Sequence, residues 1–206
     1  IPARGENMVR LMHQLQIARA TSAPLVLLGE TGTGKTGLAH VVHYASDRQS
    51  RGITIFDARA LPRSLQLREL FGEPGTSMKG LLREAGEGTI LLLGLSQLSA
   101  DVQEKLAEAL ADPNLSCRLI VTERQSLEKL VEEGTLDRRL YFLVSSLVIV
   151  VPPLRDRTRE IPDHCESILE IMREENSAGV VRGIAPDALS TLLAYNWPGN
   201  LMELES

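Results

Sequence analysis

Between Pro24 and Val42 the chain runs apolar strand, glycine-rich loop, helix, and that order leaves few folds open. Pro24-Leu25-Val26-Leu27-Leu28 is a short apolar run suited to a buried strand, and Leu38-Ala39-His40-Val41-Val42 opens a helical pattern. Between them stands Gly29-Glu30-Thr31-Gly32-Thr33-Gly34-Lys35-Thr36, a complete phosphate-binding P-loop. Its glycines let successive backbone N–H groups turn toward one anion, and the N-terminus of the following helix adds partial positive charge. Lys35 is placed to reach outer phosphates, and Thr36 to offer its hydroxyl to Mg²⁺. A ligand-free glycine turn would not need Lys and Thr directly after the last glycine. All eight residues, 29 to 36, are therefore read as cofactor-binding, for ATP or ADP with Mg²⁺.

The rest of the chain continues this alternation of short apolar runs and helical patterns, which is the sequence form of an α/β fold with a mainly parallel sheet. Five strands are expected: Pro24 to Leu28, Ile53 to Phe56, Thr89 to Leu93, Arg118 to Val121 and Leu147 to Val151. After Pro152-Pro153 the character changes, and helical patterns run through Ile161 to Glu175, Pro186 to Tyr195 and from Asn200 onward. The expected division is an α/β nucleotide-binding part over residues 1–153 and a small α-helical part over 154–206. Ile1 is not an initiator Met and Ser206 stops inside a helical pattern, so a longer parent chain is expected.

Charge narrows the partners. A formal net charge of −5, with Lys and Arg scattered among acids, offers no basic face for DNA or an anionic membrane. No apolar run approaches a membrane span and the first residues lack a secretory segment, so a cytoplasmic location without membrane contact is expected. Cys117 and Cys165 lack metal-type spacing and read as reduced thiols.

Four motifs occur in one order: the P-loop GETGTGKT, Leu67-Arg68-Glu69-Leu70-Phe71-Gly72, Pro152-Pro153-Leu154-Arg155-Asp156-Arg157 and Trp197-Pro198-Gly199-Asn200. In that register the whole chain resembles the central AAA+ domain of bacterial enhancer-binding proteins, transcription activators that remodel RNA polymerase carrying sigma-54. The resemblance implies a P-loop AAA+ fold: a five-stranded parallel sheet in the order 5-1-4-3-2, flanked by helices and followed by a small C-terminal helical lid. It also implies a homo-oligomer, either a dimer or a hexameric ring. DNA would be bound by a C-terminal helix-turn-helix domain outside this sequence, and RNA polymerase is a further implied partner. Some members sense cyclic di-GMP with this domain, which keeps a cyclic-dinucleotide-sensing role open.

Departures from the family pattern sharpen the expectation. The family ends its third strand with an Asp-Glu pair, the Asp holding Mg²⁺ and the Glu handling the attacking water. Here Thr89 aligns with that strand's Thr, so Leu93 and Gly94 take the acidic positions. The nearest acids, Glu84, Glu87 and Asp101, fall in connecting or helix-start segments. Asp57 ends the second strand, three places from the P-loop strand and about 14 Å away at normal spacing. Glu123, after the fourth strand, is the one candidate catalytic residue. It is read either as approaching Mg²⁺ or repelling the terminal phosphate, or as a solvated strand-end glutamate.

The family's arginine fingers align with Asp137 and Leu143, leaving Arg138 and Arg139 nearby with surface roles expected. Met202 replaces the lid arginine that senses nucleotide. An arginine finger, the role aligned with Asp137 and Leu143, is worth about 10³ to 10⁵ in rate. The segment Glu73-Pro74-Gly75-Thr76-Ser77-Met78-Lys79 is shorter than the family's sigma-contacting loop and lacks its GAFTGA motif. Ala111 to Cys117 is too short for the hairpin that levers that loop. The expected function is a nucleotide-binding AAA+ module of a transcription regulator, impaired in hydrolysis, independent of sigma-54 and acting through oligomerisation or domain arrangement. The alternative is a slow Mg²⁺-ATPase that still remodels polymerase.

The remaining conspicuous residues read as structural. His40 and His43 lack a third zinc ligand, Trp197 suits a core anchor, and the Glu132-Glu133 and Glu174-Glu175 pairs suit solvated helix ends.

Overall fold

The computed structural model describes residues 6–73, 75–175 and 183–206. Pro74, counted above in the 73–79 segment, lies outside the described residues, as does the side chain of Glu175. The chain groups into two units. One holds residues 14–29 and 35–150; the other holds the residues up to 13, 30–34 and 151–206.

The first unit is the α/β layer. Strands β1 (Leu25–Leu28), β2 (Ile53–Asp57), β3 (Thr89–Leu93), β4 (Arg118–Glu123) and β5 (Val148–Val150) form one sheet in the order β2-β3-β4-β1-β5. Every neighbouring pair is parallel. This is the expected 5-1-4-3-2 order read from the other edge. Strands β1, β3 and β4 are buried at every residue, which is why they read as unbroken apolar runs rather than as alternating patterns. The edges are wetter: Ile55 on β2 and Val150 on β5 are exposed. Helices α2 (Lys35–Tyr44), α3 (Arg63–Phe71), α4 (Leu81–Glu84), α5 (Ala100–Ala111), α6 (Leu127–Glu132) and α7 (Arg138–Val144) connect the strands, and α1 (Glu6–Arg19) precedes them. Side chains such as Val26, Phe56, Leu92, Leu106, Val121 and Leu140 form the core.

Three buried polar side chains hold this layer in register. His43 on α2 is fully buried, with Nδ1 2.8 Å from the Thr89 hydroxyl and Nε2 3.1 Å from the Arg51 carbonyl. Gln66 on α3 donates to the Ala58 and Gln97 carbonyls and accepts from the Ser99 amide, which fixes the turn after β3. Arg118 opens β4 and donates Nη2 to the Ala18 carbonyl at 2.7 Å, near the end of α1, where the helix dipole favours a cation. Burial pulls the Arg118 guanidinium down to about 10.

The second unit contains α8 (Ile161–Glu175), α9 (Pro186–Ala194) and α10 (Asn200–Glu205), entered through short 3₁₀ turns at Leu154–Asp156 and Thr158–Glu160. Leu154, Ile161, Cys165 and Trp197 form its core. Trp197 donates its indole N–H to the Leu192 carbonyl at 2.8 Å and meets Tyr195 edge-on, so its reading as an anchor describes its contacts. Both cysteines are free and buried, and burial raises both thiol pKa values.

Candidate functional site

In the α/β unit, the C-terminal ends of β1, β4 and β3 lie side by side, with Gly29 following β1 directly. The register pairs Leu28 with Glu123 and Leu93 with Thr122. The Gly29 amide donates to the Glu123 carbonyl at 3.1 Å, and the Gly94 amide to the Thr122 carbonyl at 3.0 Å. Lys35 donates Nζ to the Gly29 carbonyl at 2.7 Å. Helix α2 starts at Lys35, so the first N–H groups of the helix lack intrahelical acceptors, and Thr36 lies exposed on that first turn.

At the end of β3 neither aligned position carries an acid. Leu93 is buried, and Gly94 sits in the left-handed region at φ 81°. A Cβ at position 94 would stand 2.7 Å from Cγ of Arg59, so this position is covered by a cationic side chain. Arg59 grips Asp57 with a two-pronged pair, Nε to Oδ1 and Nη2 to Oδ2, each at 2.8 Å. The pair depresses the Asp57 pKa and raises that of Arg59, with the charge of Glu123 adding to the rise.

Glu123 is not the solvated strand-end glutamate that was one of its two readings. β4 continues two residues beyond the expected end at Val121, and Glu123 is 5% exposed. Its Oε2 accepts from the Ser96 amide at 2.8 Å and its Oε1 from the Arg124 amide at 2.7 Å. The carboxylate is thus a staple between β4 and the turn after β3, with both oxygens turned to backbone.

The donor chemistry suits a phosphate better than a protein-held cation. Among the described residues, no group of three or more His, Cys, Asp or Glu could hold a metal. The Thr36 hydroxyl is the one Mg²⁺ ligand that the motif supplies, and Leu93 and Gly94 add no ligating side-chain atom. Glu84 ends α4, Glu87 pairs with Arg51, and Asp101 lies in the first turn of α5.

In the second unit, the crown of the P-loop is bound to the two lid motifs. Arg155 forks onto the Glu30 carboxylate, with Nη1 at 2.9 Å from Oε2, and Glu30 raises the Arg155 pKa. Asn200 donates Nδ2 to the Thr31 carbonyl at 2.9 Å and to Glu30 Oε2 at 3.2 Å, while its Oδ1 accepts from the Leu154 amide at 2.7 Å. The Leu201 amide donates to the Gly32 carbonyl at 2.9 Å, and Arg157 Nη2 to the Thr33 carbonyl at 2.7 Å. Thr33 is buried and donates its hydroxyl to the Glu30 carbonyl. At Gly32 (φ 77°) a Cβ would stand 2.1 Å from the Gly199 carbonyl oxygen, so glycine is required by contact as well as by torsion. Met202, where a lid arginine was expected, has its Cβ 3.3 Å from that same position.

A sheet in this order, with a P-loop after β1 and a helical unit carrying the Pro-Pro-Leu-Arg and Trp-Pro-Gly-Asn motifs, has known counterparts. The family model described as the Sigma-54 interaction domain matches residues 3–154, and that described as the AAA+ ATPase lid domain matches residues 155–206. The chain is a sigma-54 interaction domain with its AAA+ lid. It is 32% identical over 219 residues to nitrogen fixation protein AnfA of Azotobacter vinelandii, covering 98% of this chain and 40% of that protein. It is 32% identical over 204 residues to regulatory protein AtoC of Escherichia coli K12, covering 90% of this chain and 44% of that protein. The chain thus spans less than half the length of these relatives. Among solved structures, NtrX from Brucella abortus in complex with ATP matches with a TM-score of 0.90 and 26% identity, covering 100% of this chain and 50% of that one. The same protein in complex with ADP matches equally well.

Within this sigma-54 interaction domain, Asp137 caps α7 by accepting from the Leu140 amide at 2.8 Å, and Leu143 packs on the core. Arg138 and Arg139 are exposed. The segment after α3 closes on itself: a Cβ on Gly80 would stand 2.2 Å from the Gly72 nitrogen, and the Glu73 amide donates to the Met78 carbonyl. Residues 112–117, between α5 and β4, contain no strand. Arg59, Arg155, Arg157 and Asn200 were not singled out as site residues from sequence. The lid motifs were legible as markers, whereas their targets lie more than 100 positions away along the chain.

Proposed function

We propose that this chain is the nucleotide-binding AAA+ module of a transcription regulator, in which residues 29–36 cradle the phosphates of ATP or ADP and hydrolysis is impaired. The observation that carries the reading is the end of β3, where Leu93 and a left-handed Gly94 covered by Arg59 stand in the aligned positions of the acidic pair. Water has no carboxylate base there. Glu123 does not replace it, because both of its oxygens accept from backbone amides. Any Mg²⁺ would be held through the Thr36 hydroxyl and the nucleotide's own phosphates, and would supply charge neutralisation to those phosphates. The closed segment between Gly72 and Gly80 supports independence from sigma-54. Output then comes from oligomerisation or domain arrangement, with DNA contacted by a domain outside this sequence and RNA polymerase as the downstream partner. No helix among the described residues is long and apolar enough to cross a membrane, in keeping with action in the cytoplasm. The proposed division of labour is residues 1–153 for nucleotide and 154–206 for the lid.

Calorimetric titration with ATP and ADP, paired with a phosphate-release assay, tests the reading. The chain is expected to bind both nucleotides, to lose binding in Lys35→Ala, and to release phosphate no faster than that variant. Absence of binding sinks the cradle; sustained release above the Lys35→Ala level sinks the impairment.

A further inference from the structure

We infer that Asn200 and Arg157 are positioning residues of the phosphate cradle, aiming the N–H groups of Gly32 and Gly34 from behind. This inference rests on the nucleotide-binding reading of residues 29–36. Three consecutive carbonyls of the loop crown each receive one donor from the C-terminal unit: Thr31 from Asn200 Nδ2, Gly32 from the Leu201 amide and Thr33 from Arg157 Nη2. In a planar trans peptide the C=O and the next N–H point to opposite sides. The Thr33 amide donates within the loop to the Glu30 carbonyl at 3.4 Å, whereas donors that hold the carbonyls of residues 31 and 33 set the opposite direction for the amides of residues 32 and 34. Those are amides that a P-loop turns toward phosphate.

The donors are themselves held. Asn200 is fully buried, has φ 55°, and spends its Oδ1 on the Leu154 amide, so its carboxamide cannot flip without losing partners on both sides. Arg157 is 5% exposed and its Nη1 lies 3.3 Å from Oε2 of the fully buried Glu160, which leaves Nη2 aimed at the loop. Donors fixed before the ligand arrives need no ordering when it binds, and that saved ordering appears as affinity. The Pro-Pro-Leu-Arg-Asp-Arg and Trp-Pro-Gly-Asn motifs thus meet at one task.

Asn200→Asp tests this directly. It keeps the acceptor for the Leu154 amide, removes the donor to Thr31, and sets a negative charge beside Glu30. ADP affinity is expected to fall about tenfold or more, while adenosine, which lacks phosphate, changes little. Hydrogen exchange of the Gly32 and Gly34 amides in the ligand-free chain should quicken. Arg157→Lys, with shorter reach, should act in the same direction. Trp197→Phe is the control: it loses the Leu192 hydrogen bond in the same unit but removes no donor to the loop, and should leave both the ADP-to-adenosine ratio and loop exchange near wild type. Equal losses for ADP and adenosine, equal losses in the Trp197→Phe control, or unchanged loop exchange in Asn200→Asp would each overturn the inference. A wild-type chain that binds no ADP ends the nucleotide reading and with it the phosphate role. The exchange comparison would still judge whether Asn200 orders the loop.

Discussion

Single residues set the character of the strand ends beside the P-loop strand. Gly94 combines a left-handed torsion with an arginine packed over it, so placing an acid at that one position meets both backbone strain and Arg59. Glu123 shows how one residue's role turns on its surroundings. From sequence it is an acid near the end of a strand next to the P-loop strand; in the fold its carboxylate closes two backbone amides. Glu123→Gln replaces one acceptor oxygen with a donor group facing an N–H. It is expected to destabilise the fold by about 1–3 kcal/mol, read as a lower urea midpoint. Nucleotide affinity in Mg²⁺ should stay near wild type. A loss of affinity with no loss of stability would return Glu123 to the ligand.

At the scale of elements, the packing of α2 against β3 depends on a neutral histidine. The Arg51 carbonyl can only accept, so Nε2 of His43 carries its proton and Nδ1 accepts from the Thr89 hydroxyl. Burial lowers the His43 pKa, opposed by the Arg51 carbonyl and helped by neighbouring cations. The folded state then binds fewer protons than the unfolded chain. This contribution to stability is complete above the ordinary histidine value of about 6.5 and declines as pH falls below it. Thermal melts between about pH 7.5 and 5.5 should show the melting temperature falling with acidity in that window. A His43→Gln variant, less stable throughout, should show a flatter profile. Strand and helix positions were largely readable because period and turn chemistry are local: β3 spans the expected Thr89–Leu93, and α8 the expected Ile161–Glu175. The extra length of β4 was not readable, since Thr122 and Glu123 are drawn into the sheet by pairing with Leu27 and Leu28.

For the molecule as a whole, a ligand that binds the folded cradle must also stabilise the fold. ADP at about 100 times its dissociation constant is expected to add about 2.7 kcal/mol, seen as a higher melting temperature that Lys35→Ala does not share. An equal shift in Lys35→Ala would mean that ADP binds elsewhere. The sequence by itself determined the class of the sheet, its P-loop and the absence of acids at positions 93 and 94, because strand burial and glycine-loop chemistry are written in consecutive residues. Family resemblance carried the strand order and the lid. Only the tertiary structure decided what Glu123, Arg59, Arg157 and Asn200 do. Glu123, Arg157 and Asn200 each bind a group from a distant segment, and Arg59, paired with Asp57 two residues before it, covers Gly94 of another strand end; such partners are set by where the fold brings distant backbones together.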